Sequence, residues 1–263
     1  MRIARLFVSA MIAMALTAIV SLQVSADDAR DVLAPKGTLR VGVYLGSPTS
    51  MVRPSSTGET HGLSLDLGKE LARRLDVPFE QVNYQRIADV LEGMKAGDVD
   101  FTVSNATPAR ALDVAFSQTL ISLELGYLVP ATSPIATASN LDKSGMRIGV
   151  TQGSTSERTL PKLLANATVV PAQNLKIAIQ MLERRELDAY ATNKPTLFEM
   201  SDQMPGARVL DSRWGEEHLA VAIPKGRESG LEYVRRFVGD VQSNGTLATA
   251  VAQSGLRGSI KAK

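Results

Sequence analysis

The chain has 263 residues, with 29 Lys and Arg against 27 Asp and Glu, two His and no Cys. The lack of Cys excludes a disulfide framework, a thiolate metal site and a lipid-modified N-terminal cysteine. His61 and His218 are too few for a histidine-rich metal centre, and no run of Lys and Arg interleaved with aromatics marks a nucleic-acid surface.

Residues 1–26 carry the pattern of a cleaved secretory signal peptide. Arg2 and Arg5 precede an apolar run from Leu6 to Val20, and Val24-Ser25-Ala26 makes a small-x-small cleavage site before Asp27-Asp28. Its removal takes away two Arg and no acid, leaving 27 basic groups against 27 acidic ones, so the exported chain is near neutral. No other segment approaches the roughly 18 apolar residues of a membrane span.

After the turn Pro35-Lys36-Gly37, Leu39–Tyr44 alternates with Val41 and Val43 on one face, the pattern of a strand. Residues 45–62, rich in Gly, Ser, Thr and Pro, are a loop. Leu67, Leu71 and Leu75 then recur at helical spacing, with Asp66 at the positive end of the dipole and Arg73 and Arg74 at the negative end. Val77-Pro78 stops that helix. A second helix carries Ile87, Val90, Leu91 and Met94, ends near Gly97 and feeds a strand over Val99–Val103. Beyond the Pro/Ser/Thr/Ala-rich stretch 130–140 the α/β rhythm resumes: strand Arg147–Val150, a helix through Leu160, Leu163 and Leu164, and strand Thr168–Val170. Asn174 caps a helix whose stripe is Leu175, Ala178, Ile179 and Leu182, and Leu187–Ala191 is a further strand.

Two stretches repeat at an offset of 88 residues: Leu91-x-x-Met94 to Asp100-x-x-x-Ser104-Asn105, and Ile179-x-x-Leu182 to Asp188-x-x-x-Thr192-Asn193. Each is a helix feeding a short strand whose carboxyl end presents a hydroxyl residue and an Asn, then a turn with Pro108 or Pro195. Ligands of open α/β sheets bind beyond the carboxyl ends of strands, so two such ends facing each other would line a cleft from both sides.

The motifs carrying a family resemblance are Gly62-Leu63-Ser64-Leu65-Asp66-Leu67, Ala96-Gly97-Asp98-Val99-Asp100, Thr107-Pro108-Ala109-Arg110 and Val114-Ala115-Phe116-Ser117. Further along come Ile148-Gly149-Val150-Thr151-Gln152-Gly153-Ser154, Leu187-Asp188-Ala189, Val221-Ala222-Ile223-Pro224-Lys225-Gly226 and Asn244-Gly245-Thr246. In this order they resemble the family 3 extracellular solute-binding proteins, the polar amino-acid receptors of bacterial ABC importers. The resemblance implies the α/β fold of periplasmic binding proteins: two α/β lobes joined by two crossover strands, with a ligand cleft between. Lobe 1 would take residues 37–128 and 219–263, and lobe 2 residues 129–218, with crossovers near Leu128-Val129-Pro130 and His218-Leu219-Ala220. It further implies a periplasmic monomer without cofactor or catalysis, which passes a carboxylate-bearing small molecule to an ABC permease in the inner membrane.

In the family, the Arg after the Thr-Pro signature grips the ligand carboxylate, and Arg110 holds that position, with Ser104, Asn105 and Thr107 beside it. A guanidinium fork matches a carboxylate. On lobe 2, Gln152-Gly153-Ser154-Thr155 opens a helix whose amides and hydroxyls can meet the same anion. Tyr84 matches the aromatic that covers the ligand. Three departures bear on the substrate. Asn193 stands where the family has an acid for an α-ammonium group, Ser50 stands where it has an aromatic, and the loop from Asp100 to Arg110 is two residues shorter than usual. On this reading Asn193→Asp strengthens binding of zwitterions. Two alternatives stay open on the same fold: a periplasmic cyclohexadienyl dehydratase-like enzyme, with Glu124, Glu216 or Glu217 as its acid, and a ligand-free accessory protein.

Overall fold

The computed structural model describes residues 26–53 and 58–260. The predicted signal peptide lies outside them, apart from Ala26, which opens helix α1 (Ala26–Leu33). That helix seats Ala29 and Leu33 in the first core, and Arg30 Nε donates to the carbonyl of Leu75 at 2.8 Å. It is too short for its apolar spacing to have announced it.

Strand β1 (Leu39–Tyr44) leads to α2 (Leu63–Leu75), β2 (Phe79–Tyr84), α3 (Ile87–Lys95) and β3 (Thr102–Asn105). Helix α2 lies close on β1, because Gly68 presents only hydrogen to Val41; a Cβ there would meet the Val41 methyls at 2.6–2.7 Å. Strand β2, parallel to β1 with Leu39 opposite Phe79, has no counterpart among the predicted elements. It is a partly exposed edge strand, so its sequence FEQVNY lacks a clean apolar alternation.

Strand β4 (Val114–Val129) is 16 residues long, about 50 Å of extended chain. Its first part, with Leu120, Ile121 and Leu123, packs into the core of β1, α2 and Phe101. Its last part pairs with β7 (Ala189–Asn193) and β8 (Arg208–Val209). Strand β9 (Gly215–Pro224) runs antiparallel beside it and also pairs with β3. These two strands connect the lobes, and β10 (Ser259–Ile260) straps β4 at Ser122 and Leu123.

The second lobe is built from β5 (Arg147–Thr151), α4 (Thr155–Thr159), β6 (Thr168–Ala172), α5 (Leu175–Glu183), β7 and α6 (Lys194–Gln203). Its strands divide alternate residues between two cores: Ile148, Val150, Ala189 and Ala191 on one face, and Tyr190 on the other, where it joins Leu175 and Leu182 of α5 and Leu197 of α6. The helix expected through Leu160, Leu163 and Leu164 is instead the five-residue α4 followed by a 3-10 turn, Leu160–Lys162. Pro161 cannot donate to the preceding turn, so the helix ends and Leu163 stays 55% exposed. Helices α7 (Leu231–Ser243) and α8 (Thr246–Gln253) return to the first lobe, where Phe237, Val241 and Ala250 join its core.

The 88-residue repeat is structural. Helices α3 and α5 begin and end at positions 88 apart. Both close in a Schellman turn: Gly97 N–H donates to Met94 O and Asp98 N–H to Gly93 O, just as Arg185 does to Leu182 and Glu186 to Met181. Gly97 and Arg185 both take positive φ, 80° and 58°. The next Asp then grips an Arg on the first strand of its own lobe. Asp100 Oδ2 accepts from the Arg40 amide and Nε at 3.0 and 2.8 Å, and Asp188 Oδ2 from the Arg147 amide and Nε at 2.9 and 3.1 Å. The ladders β3 and β7 start only after these clamps, later than the predicted Val99 and Leu187.

Candidate functional site

The carboxyl ends of the repeated strands meet at one cavity between the lobes. Ser104 and Asn105 of β3 and Thr192 and Asn193 of β7 all line it, together with Arg110, Ser154, Thr155 and Glu217. Its volume of about 50 Å³ holds roughly three or four water-sized groups in this conformation. Hydroxyls and amides join the walls: Ser47 Oγ lies 2.8 Å from Thr196 Oγ1, and Asn105 Nδ2 donates to Thr155 Oγ1 at 3.4 Å.

Arg110 sits on a 3-10 turn (Arg110–Leu112) after Thr107, whose hydroxyl accepts the Arg110 amide at 3.3 Å. The side chain points inward, 6% exposed. One terminal nitrogen donates to Ser104 Oγ at 2.8 Å and to the Asn105 carbonyl at 3.4 Å, while Nε is buried without a partner among the described residues. Burial pushes the guanidinium below its ordinary pKa, and the negative charge of Glu217 works against that. A buried, incompletely paired cation of this kind is set up to receive an anion.

On the other wall, Ser154 caps α4 by accepting the Glu157 amide at 3.2 Å. The Gly153 amide is committed to Glu157 Oε2 at 2.6 Å and is not directed at the cavity. Gly153 serves closeness instead. Its φ is 75°, and a Cβ would come within 2.5 Å of the Ala88 Cβ on α3 of the facing lobe. Gln152 accepts from Arg86 Nη1 at 2.7 Å, a link between lobes at the rim.

Asn193 caps α6 by accepting the Thr196 amide at 3.1 Å and donates through Nδ2 to Glu217 Oε2, also at 3.1 Å. Glu217 is 7% exposed and accepts from Thr155 Oγ1 on its other oxygen at 3.0 Å. Of the three carboxylates singled out in the sequence, it alone lines the cavity; Glu124 is bound by Lys194 at 2.6 Å and Glu216 by Arg213.

Tyr84 stands apart from this group. Its hydroxyl rests against Gly93, where a Cβ would be 2.0 Å away, and the ring packs beside Val90 and Met94. The aromatic of the cavity is Tyr44, whose phenol burial pushes to a higher pKa. Ser47, Thr49 and Thr196 also line the cavity without having been singled out in the sequence. Ser47 and Thr49 belong to the loop between β1 and α2, where only the density of Ser and Thr hinted at that role, and Thr196 belongs to α6. Ser50, in place of an aromatic, is buried and accepts the Tyr44 amide at 2.8 Å.

Of the two His, His218 meets Ser122 Oγ through Nδ1 at 2.9 Å, and His61 lies 3.7 Å from Asp66 on the outer face of the first lobe. Among the described residues no group of three or more His, Cys, Asp or Glu could hold a metal, and no helix is long and apolar enough to cross a membrane.

Similar proteins share this architecture. A mutant of ArgBP from T. maritima superposes with a TM-score of 0.76 at 22% identity, over 86% of this chain and 99% of that one. An ancestral amino acid-binding protein described as a precursor of cyclohexadienyl dehydratase gives 0.73 at 25% identity, over 85% and 97%. In sequence, the glutamine-binding protein of Geobacillus stearothermophilus is 25% identical over 72% of this chain and 74% of its own length. The probable histidine-binding protein of Campylobacter jejuni is 27% identical over 72% and 75%. Residues 39–254 match the model of the bacterial extracellular solute-binding proteins, family 3, and the chain belongs to that family.

Proposed function

We propose that this protein is a periplasmic receptor that captures a small carboxylate-bearing molecule, an amino acid or close relative, and delivers it to an ABC permease. It works as a monomer without a cofactor or turnover, after removal of residues 1–26, by closing residues 37–128 and 219–263 onto residues 129–218. The observation carrying this reading is Arg110: a buried guanidinium whose Nε has no partner among the described residues, in the cavity where both repeated strand ends meet. A ligand carboxylate would accept from that Nε, assisted by Ser104 from one lobe and Ser154 and Thr155 from the other. The relatives named as a glutamine-binding protein and a probable histidine-binding protein support the ligand class.

Isothermal titration with a panel of amino acids, dicarboxylates and their analogues tests the reading. At least one carboxylate should bind near micromolar, a free energy of about 8 kcal/mol, and raise the melting temperature. Arg110→Ala should lose at least about tenfold in affinity, the worth of one charge-assisted bond. Full affinity in Arg110→Ala would dismiss the anchor. Chromatography of the incubated ligand separates binding from dehydration: the receptor returns it unchanged.

A further inference from the structure

The proposed receptor function leaves open whether the ligand is an acid or a zwitterion, because the family's usual acidic position is the neutral Asn193. The missing charge is present elsewhere in the cavity. Glu217, on β9 next to the crossover, turns inward while its neighbour Glu216 turns outward to Arg213. Its recorded partners among the described residues are the Thr155 hydroxyl and the Asn193 amide, both neutral. Two neutral donors leave a buried carboxylate with lone pairs to spare and no compensating charge in contact. The cation in the same cavity is Arg110, whose guanidinium donates, among the described residues, to the Ser104 hydroxyl and the Asn105 carbonyl. Two opposite charges, each nine-tenths buried, thus share one small space without forming an ion pair.

We infer that Glu217 replaces the acid absent at position 193 as the receptor for a ligand ammonium group, so that the substrate class is an ammonium-bearing carboxylate rather than a simple acid. Asn193 fits this assignment. Its Nδ2 orients Glu217 from the strand end where the acid would otherwise stand, and its Oδ1 is spent on the α6 cap. A zwitterion would satisfy both buried charges at once. A simple carboxylate would neutralise Arg110 and leave Glu217 uncompensated, at a cost that selects against it. The inference rests on the receptor reading and adds the identity of the second charge reader.

Titration calorimetry with three matched pairs tests it: glutamine and glutaramate, arginine and 5-guanidinopentanoate, histidine and imidazole-4-propionate. The unmodified protein should prefer the ammonium-bearing member of any pair it binds by about tenfold or more, the effect of one charge-assisted bond. Glu217→Gln should abolish that preference by weakening the ammonium-bearing member about tenfold or more and tightening the desamino member, whose binding no longer leaves a buried carboxylate uncompensated. Glu217→Asp, which keeps the charge, should retain the preference. Equal binding of both members by the unmodified protein overturns the inference but not the receptor reading. So does an unchanged preference in Glu217→Gln, or identical loss in Glu217→Asp and Glu217→Gln, which would mark a packing role. If no carboxylate or amino acid in the wider panel binds, both fall.

Discussion

Asn193 shows how a side chain's meaning depends on what it faces. Read in the sequence it is a missing acid, and restoring Asp there is expected to strengthen zwitterion binding. In the fold its Nδ2 donates to Glu217, so Asn193→Asp would set two carboxylates against each other where a 3.1 Å hydrogen bond now lies. The expected outcome reverses: the variant keeps the α6 cap but loses about 1–3 kcal/mol of stability near neutral pH, read from urea unfolding, and recovers at acid pH when one carboxylate protonates. Arg110 poses the complementary question of shape against charge. Arg110→Lys retains the positive charge but lacks the planar fork, and should weaken carboxylate binding by roughly tenfold or more in calorimetry. Equal affinity would mean that charge alone matters.

At the scale of elements, the same device is used twice under different solvent exposure. Asp100 is fully buried and serves Arg40 and Arg227, whose guanidiniums reach its Oδ1 at 2.6 Å each, whereas Asp188 and Arg147 are 30% and 41% exposed. Removing Asp100 strands the buried Arg40 and takes a partner from the partly buried Arg227, so Asp100→Ala should cost about 3–5 kcal/mol in denaturant unfolding. The corresponding Asp188→Ala should cost about 1 kcal/mol or less, because water screens the exposed pair. Equal costs would refute the claim that burial separates the two copies. The turn before each clamp differs likewise. Gly97 adopts φ 80° without strain, while Arg185 holds 58° with a side chain. Gly97→Ala, with open space around the new methyl, should therefore lose only about 1–2 kcal/mol, the left-handed penalty itself.

At the scale of the whole molecule, the lobes approach closely enough that one hydrogen atom decides the fit. Gly153 faces Ala88 across the gap, so Gly153→Ala should hold the lobes apart. Ligand affinity should fall at least about tenfold, and small-angle scattering should lose the ligand-induced compaction. The double variant Ala88→Gly/Gly153→Ala should regain compaction, since it removes the collision and leaves only the backbone strain of the new Ala. No recovery would place the effect in the turn rather than between the lobes.

The amino-acid sequence by itself determined the periodic elements and their repetition. Leu67, Leu71 and Leu75, the Asn174 cap and the offset of Asp100 and Asp188 are local signals, set by helical spacing and chain-end hydrogen bonding, and each appears in the fold where its period places it. Arg110 was legible through its Thr-Pro surroundings. What only the tertiary structure decided is which polar groups share a space. Glu217 lies far along the chain from Tyr44, Ser47 and Thr49, and Tyr44 and Glu217 sit on strands whose inward face depends on register, which is settled by pairing with distant strands. The same physics gave Gly153 a steric task rather than an anion to hold, because its amide found Glu157 nearer and its missing Cβ made room for α3.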